Sequence, residues 1–355
     1  MRFAVILHGP EVLDTGLGQR VMRVLRGKGQ VIAVMSGYTG VAAVIDAGLE
    51  DEIDISRRRK PSIELVRMDK GNDLLLLVNC AKTRESALRF GSMVYSRCAG
   101  KLTRPFIQVD DGIIIDWTGM GATVVQSLAD ELGLELVAPP ESTAPPVAEE
   151  DWRILGGIIP GENVWINGVV VGRATSDQVL IGKDEKGRLV AKGLELKEPG
   201  IKRLGEFDVR KAHVRSGLTR RTSAVPRSID SVKAGIFLID HAAEEAIYKC
   251  RDAALVISIG DDTSKITGAL LYRFNVPVVA IIDGDEDGIS QEAIKTKGSI
   301  LIQVRPGTDD VVGAEIRDQL FSGGTYLPGS MAPQEAATRI MRLAGERVLG
   351  LEHVR

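Results

Sequence analysis

Aromatic side chains make up only 4% of the 355 residues, and no aromatic-rich patch marks a partner surface. Cysteine is scarcer still. Cys80, Cys98 and Cys250 stand far apart and match no CxxC spacing, which excludes an encoded zinc site or disulfide framework and suits reduced thiols in a cytosolic protein. No stretch approaches the roughly 20 apolar residues of a membrane span. The apolar run in "MRFAVILHGPEV" stops at Gly9-Pro10, too short for a signal-peptide core, so a soluble, cytoplasmic protein is expected. Charge of one sign is lacking too: 45 Lys plus Arg against 48 Asp plus Glu leave a net charge of −3, with no global attraction to a polyanion or an anionic membrane surface. Nucleic-acid binding would need a local basic patch.

What is abundant is Val, Ile, Leu, Ala and Gly, the composition of buried parallel strands with close helix packing. The length suits two or three domains. Residues 1–139 alternate apolar runs ("FAVILH", "QVIAVM", "DLLLLVN", "PFIQVD") with helical patterns, the pattern of a doubly wound α/β domain. In "ATVVQSLADEL", Val124, Leu128 and Leu132 predict one buried helix face. A Pro-rich linker is expected at 140–151, within "APPESTAPPVAEED". Residues 152–225 break into short runs with hairpin signals at "ING" and "KDEKG", predicting a small antiparallel β module. From 226 to 355 the α/β rhythm returns. "AGIFLID", "AALVISIG", "VPVVAIID" and "SILIQV" read as strands, "AAEEAIYKCR", "SKITGALLYRF" and "EAIKTKG" as helices. "PQEAATRIMRLAGERVLG" reads as a closing amphipathic helix with Ala336, Ile340, Leu343 and Val348 near one face. The expected fold class is α/β: two doubly wound, mostly parallel sheets flanking the β module.

The segment "IGDDTSKITGALLYRFNVPVVAIIDGDEDG" holds six carboxylates, Asp261, Asp262, Asp283, Asp285, Glu286 and Asp287, in two groups at strand ends, where parallel sheets place their ligands. The single short crossover makes the two strands neighbours. A carboxylate pair about 4 Å apart costs on the order of 4 kcal/mol at an effective dielectric of 20, so either a proton is shared or a hard cation lies between. Oxygen-only donors favour Mg²⁺ or Mn²⁺. Asp283 and Asp285, with Asp261 or Asp262 assisting, are the candidate metal ligands. Gly260, Thr263, Ser264 and Lys265, at a helix start where Thr263 or Ser264 can cap, are candidate phosphate contacts. Arg220 and Arg221, from the basic "HVRSGLTRRTS", could add guanidinium groups. Acidic turns facing water and a solvated basic connector would read the same.

The segment resembles the phosphate-binding turn of phosphofructokinases and NAD kinases, with Ile259 and Asp262 standing where that family has glycines. Its end, "AIIDGDEDG", resembles the Asp-x-Asp strand end of toprim domains, which implies Mg²⁺ and nucleic-acid chemistry. Over nearly the whole chain, "LHGPEVLDTG", "VNCAKTRESALRFG", "PGENVWINGVVVGRATS" and "VRSGLTRRTS", in this order and followed by the acidic segment, resemble a family of archaeal proteins, many from methanogens, classified as a domain of unknown function.

Further candidates lie at other strand ends. His8 and Glu11 follow the first strand, where His8 could serve as a general base or as a plain turn histidine. Asn79, Lys82, Thr83 and Arg84 mark a strand-to-helix turn suited to an anion or to simple capping, and Asp110, Asp111 and Asp116 form either a third acidic site or a hairpin turn. No catalytic residue is singled out. The expectation is an Mg²⁺-assisted binder of a nucleotide, sugar phosphate or other phosphorylated small molecule, for phosphoryl transfer or hydrolysis. A non-catalytic metabolite sensor and a toprim-like nucleic-acid-processing protein are the alternatives.

Overall fold

The computed structural model describes residues 1–57, 59–140, 147–148, 152–167, 169–212, 214–217, 220, 222, 225–230, 232–240, 243, 246–283 and 294–354. The chain divides into two compact units, Met1–Ala224 and Val225–Arg355.

The first unit begins with a seven-stranded sheet made of β1 (Arg2–His8), β2 (Gln30–Ser36), β3 (Ile53–Asp54), β4 (Leu74–Val78), β5 (Phe106–Asp110), β6 (Ile113–Asp116) and β7 (Glu135–Leu136). Their order is β3-β2-β1-β4-β5-β6-β7, and all neighbours are parallel except the β5–β6 hairpin. Helices α1 (Glu11–Asp14), α2 (Leu17–Arg26), α3 (Tyr38–Ala47), α4 (Pro61–Asp69), α5 (Arg84–Ser96) and α6 (Ala122–Leu132) connect them. The strands read as unbroken apolar runs because both sheet faces are covered. Ala4 and Ile6 share a core with Leu65 and Met68 of α4 and Ala87 and Val94 of α5. Phe3, Val5 and Leu7, equally buried, point the other way, and α2 packs there so closely that a Cβ on Gly18 would meet Leu7 at 2.8 Å.

From β1 the chain winds outward through β2 and β3, then returns to place β4 on the other flank of β1. That reversal opens a crevice beyond the carboxyl ends of β1 and β4. In α6 the buried face runs through Val125, Leu128, Ala129 and Leu132 rather than Val124, because a helix advances 3.6 residues per turn and a strict four-residue step drifts off the face.

The same unit contains two four-stranded antiparallel sheets. One joins β10 (Asn163–Ile166), β11 (Val169–Ala174), β14 (Leu194–Leu196) and β15 (Val214–Ser216). The other joins β8 (Val147–Ala148), β9 (Trp152–Leu155), β12 (Val179–Lys183) and β13 (Leu189–Lys192). Val164, Ile166, Val171, Val179, Ile181 and Phe207 fill their shared core, with α7 (Glu198–Leu204) supplying Leu204. "KDEKG" is a hairpin turn in which Asp184 accepts from the Lys186 and Arg188 N–H groups. Of the stretch expected as linker, Val147–Ala148 pair with β9, and 141–146 and 149–151 lie outside the described residues.

In the second unit β16 (Ile236–Asp240), β17 (Leu255–Ile259), β18 (Val278–Ile282) and β19 (Ile300–Val304) are consecutive parallel neighbours, edged by antiparallel β20 (Tyr326–Leu327) and β21 (Val348–His353). The helices are α8 (Ala246–Lys249), α9 (Asp261–Leu271), α10 (Asp309–Leu320) and α11 (Pro333–Ala344). Val312 and Ile316 of α10 and Ala336 and Ile340 of α11 cover one sheet face.

The chain end corrects the expectation of one long helix. Ala336 and Ile340 are buried on α11 as expected, but Gly345 caps it, and Val348 enters β21 to hydrogen-bond along β19. An edge strand satisfies its backbone on the sheet, an outcome the 3.6-residue pattern alone did not foresee. Of the helix expected at "EAIKTKG", 292–293 lie outside the described residues, 294–295 are irregular and 296–298 bend into a turn. Among the described residues no helix is long and apolar enough to cross a membrane.

Candidate functional site

In the second unit the strands that deliver the two aspartate groups, β17 and β18, are adjacent and parallel, with Ile259 opposite Ile281. The Gly260 N–H extends that ladder to the Ile281 carbonyl at 2.9 Å, so Asp261 and Asp283 emerge side by side in register. Both are buried, at 4% and 1% exposure. Asp283 accepts from the Gly307 N–H at 2.6 Å, which draws in the loop after β19. Just past that loop, Asp309 is buried as well.

The turn into α9 is made by Gly260 at φ 93° and ψ 148°, a region essentially reserved for glycine. Gly260 is therefore the cap residue, with no side-chain cap bond. Thr263 and Ser264, expected as caps, lie inside the first helical turn. Thr263 is buried, and the Ser264 hydroxyl turns inward to the Ser258 hydroxyl at 2.7 Å. Lys265 is half-buried. Asp262 lies in α9, and Asp285 and Arg221 lie outside the described residues. Among the described residues no three His, Cys, Asp or Glu side chains converge on a point that could hold a metal ion.

In the first unit the crevice between β1 and β4 is lined by a chain of hydrogen bonds. Asp110, at the end of β5 and 1% exposed, accepts four N–H groups: Asn79 Nδ2 at 2.9 Å, Gln108 Nε2 at 3.1 Å, Ala81 N at 2.7 Å and Asp111 N at 3.0 Å. Gln108, wholly buried in β5, turns its other end to Trp117, whose indole N–H donates to Oε1 at 3.0 Å. Only glycine fits at 91 on the facing helix, since a Cβ there would lie 1.7 Å from that Oε1.

Asn79 then meets His8 at the end of β1, Oδ1 to Nδ1 at 3.1 Å. An acceptor-only carboxylate fixes the amide with Nδ2 toward Asp110, so Oδ1 faces the imidazole and Nδ1 must carry its proton. The lone pair is left on Nε2, about 4.0 Å from where a side chain on Gly37 would begin. Phe90 holds the ring from one side, centroids 4.4 Å apart. Burial lowers the His8 pKa below its ordinary 6.5, and the Asn79 bond and the nearby Asp110 and Glu11 carboxylates offset this only in part, so the ring is neutral at pH 7.

The two cations nearest the crevice are ion-paired. Lys82 donates to both Glu162 oxygens, at 2.6 and 2.7 Å, and to the backbone and hydroxyl oxygens of Ser216. Burial works against ionising Glu162, but Lys82, the Ile159 N–H and Ser216 hold its carboxyl below the ordinary range. Arg220 reaches Asp14, after β1, at 2.7 Å and Asp46, on α3, at 2.6 Å, while Thr222 also bonds Asp14. Ser216 thus bonds to Lys82, and Arg220 to Asp14 and Asp46. Arg84 donates two exposed hydrogen bonds to the Glu135 carboxylate. Glu11 is buried beside Gly9, Asp111 is exposed in the hairpin turn, and Asp116 accepts from the Thr118, Gly119 and Gly121 N–H groups.

Residues 5–324 match the family described as an uncharacterized protein conserved in archaea, DUF2117. The chain belongs to that family. It is similar to an uncharacterized protein of Methanocaldococcus jannaschii, 36% identical over 342 residues, covering 92% of this chain and 93% of the relative. No solved structure matches. In this member of the archaeal family, sequence reasoning missed Gln108, Trp117, Gly91, Gly37 and Glu162. A glutamine in the middle of the apolar strand "FIQVD" was the available signal, because a buried amide demands partners.

Proposed function

We propose that the second unit binds Mg²⁺ and a phosphorylated small molecule, a nucleotide or a sugar phosphate, at the ends of β17 and β18. The observation that carries this reading is the burial of Asp261 and Asp283 at 4% and 1% exposure on adjacent strand ends, with the uncapped start of α9 beside them. Mg²⁺ keeps several waters and takes one or two carboxylates plus substrate phosphates, so the described pair suits it without a third protein ligand. Asp285 and Asp262 are the further carboxylates assigned to it from sequence. The first N–H groups of α9, with Thr263 and Lys265, would hold phosphate oxygens. When bound, the metal would neutralise charge developing on a transferring phosphoryl group, which makes phosphoryl transfer or hydrolysis the reaction class. Cys80, Cys98 and Cys250 are not in disulfides, which suits a reducing cytoplasm, and burial raises the Cys98 thiol to about 11, so it is no nucleophile. A nucleic-acid role would draw on the 215–221 stretch, where Arg220 is bonded to Asp14 and Asp46, so the small-molecule reading is preferred.

The test is calorimetric unfolding of wild type and Asp283→Asn, with Mg²⁺ or EDTA, across nucleotides and sugar phosphates. A ligand at 100 times its Kd should stabilise wild type by about 2.7 kcal/mol. Mg²⁺-dependent stabilisation that Asp283→Asn loses supports the site, and turnover of that ligand separates an enzyme from a sensor. No shift with any ligand in wild type sinks the proposal.

A further inference from the structure

We propose that the outer face of the sheet formed by β13, β12 and β9, together with the cavity at its end, binds a single-stranded nucleic acid, stacking a base on Trp152 and holding phosphates with Lys183 and Lys192. Three observations in the first unit lead there. The first is a cavity of about 610 Å³ bounded by Trp152, Lys183, Phe207, Asp208 and Arg210, within the size range of ligand clefts. Arg153 fixes the wall at Val209, donating to the Val209 and Ala212 carbonyls at 3.1 and 2.7 Å.

The second is the direction of the side chains. Leu155, Val179 and Ile181 point into the core of the β module, so Trp152 and Ile154 on β9 and Leu180 and Gly182 on β12 face the other way. Lys192 joins that outer face, opposite Leu180 on β13. Trp152 lies opposite Gly182, which has no side chain to cover the indole from β12. Trp152, Ile154 and Leu180 are only half-buried there.

The third is charge. Lys192 Nζ lies 4.9 Å from the centre of the Trp152 ring and Lys183 Nζ 4.8 Å from that of Phe207, and among the described residues neither ammonium has a carboxylate partner. Residues 152–217 hold twelve Lys and Arg against eight Asp and Glu, a net +4 in a chain whose total is −3. The local basic patch that the whole-chain charge does not supply is here. Asp208, in the cavity wall, turns its carboxylate to the Arg210 and Lys211 N–H groups at 2.9 and 3.1 Å and to the Lys211 ammonium at 3.5 Å. Aromatic rings beside unpaired ammonium groups stack bases and neutralise phosphates on one surface. A duplex keeps its bases stacked on one another, so this combination selects a single strand. The surface lies in the first unit and does not use Arg220, which makes it independent of the Mg²⁺ and phosphate site proposed for the second.

The experiment titrates the full chain into fluorescein-labelled oligo(dT) and oligo(U) in EDTA, read by anisotropy across a range of salt, with duplex DNA, UMP and polyglutamate as competitors. Saturable, salt-sensitive binding of either strand is expected, and the tighter of the two identifies the sugar. Trp152→Ala should weaken it at least about fivefold, the loss of one stacked base. Lys183→Gln combined with Lys192→Gln should flatten the dependence of log affinity on log salt by about 1.4, at about 0.7 for each single-strand phosphate contact removed. No saturable binding by wild type overturns the proposal. Competition by duplex or polyglutamate as strong as by the strand overturns the stacking argument, and UMP binding as tightly as the strand makes the cavity a small-molecule site instead. Strand binding that neither Trp152→Ala nor the lysine pair changes lies elsewhere, which also overturns it. Lys192 is exposed and Lys183 half-exposed, so the lysine variant carries the test if Trp152→Ala does not fold.

Discussion

Gly37 and Gly260 close equivalent turns in the two parallel sheets, at φ 91° and 93° and ψ 146° and 148°, yet the polar groups beside them are satisfied in opposite ways. In the first sheet one carboxylate, Asp110, is surrounded by neutral N–H donors that relay it to His8. In the second, two buried carboxylates, Asp261 and Asp283, stand at neighbouring strand ends, with Asp309 after β19 buried as well. A carboxylate held by oriented dipoles needs no cation, whereas crowded carboxylates attract one. The same strand-to-helix backbone therefore opens onto an internal hydrogen-bond relay in one unit and onto the strand ends proposed to hold a metal and a phosphate in the other.

The most damaging way to test that contrast is to remove Asp110. Asp110→Ala leaves four N–H groups without their acceptor, each worth about 1 kcal/mol or more when buried, so a loss on the order of 4 kcal/mol is expected. Urea unfolding followed by tryptophan fluorescence reads it selectively, because Trp117, Trp152 and Trp165 all lie in the first unit. Asp283→Asn in Mg²⁺-free buffer keeps an oxygen for the Gly307 N–H and relieves crowding, so its calorimetric cost should be far smaller. Equal losses would break the comparison.

The two glycines should behave alike. Alanine at either position is forced into a backbone region that costs about 1–3 kcal/mol. At Gly37 nothing lies within van der Waals range of a new Cβ except His8 at 4.0 Å, so the cost there is conformational. Gly37→Ala should lower the tryptophan-detected midpoint and Gly260→Ala should not. A Gly260→Ala effect on tryptophan fluorescence would show that the units do not unfold separately.

The placement of Asp261 and Asp283 was legible in the sequence because its signal is local. Two apolar runs joined by one crossover fixed β17 and β18 as neighbours, and the aspartates follow them directly. The relay in the first unit was legible only in fragments. His8, Asn79 and Asp110 could each be placed at a strand end, but their convergence depends on β4 pairing with β1 and β5 with β4, between residues about 70 and 30 positions apart, which no short-range pattern encodes. Lys82 shows the same limit. Its helix-start position suggested an anion, and the anion that fills it is Glu162, 80 residues away. Val348 failed for the opposite reason, since a helical period continued past Gly345 into what is an edge strand.

Lys82 and Arg84 sharpen the comparison at a smaller scale. Both begin the α5 region and both hold a glutamate, but the Lys82–Glu162 side chains are 15% exposed each and those of Arg84–Glu135 are 52% and 59% exposed. A double-mutant cycle of Lys82→Met with Glu162→Gln should give a coupling of about 1–2 kcal/mol, measured by tryptophan-detected urea unfolding. Arg84→Ala should leave the midpoint unchanged, because solvent screens an exposed pair. A larger effect from Arg84 would mean that α5 is anchored through β7 rather than through the β module.

The smallest expected effect is a slope. His8 is harder to protonate in the folded chain than in the unfolded one, chiefly because it is buried. As pH falls below about 6.5, the unfolded state therefore takes up a proton that the folded state resists, and the first unit loses stability until the folded pKa is passed. Above pH 6.5 the term is constant. Asp54 and Glu162, whose carboxyl pKa values lie below 3.8 and 4.5, contribute at lower pH and leave the window from 5 to 6.5 clear of them. Tryptophan-detected midpoints at pH 7.5 and 5.5 should differ in wild type and differ less in His8→Gln. If both proteins show the same difference, the imidazole is not held neutral by its surroundings.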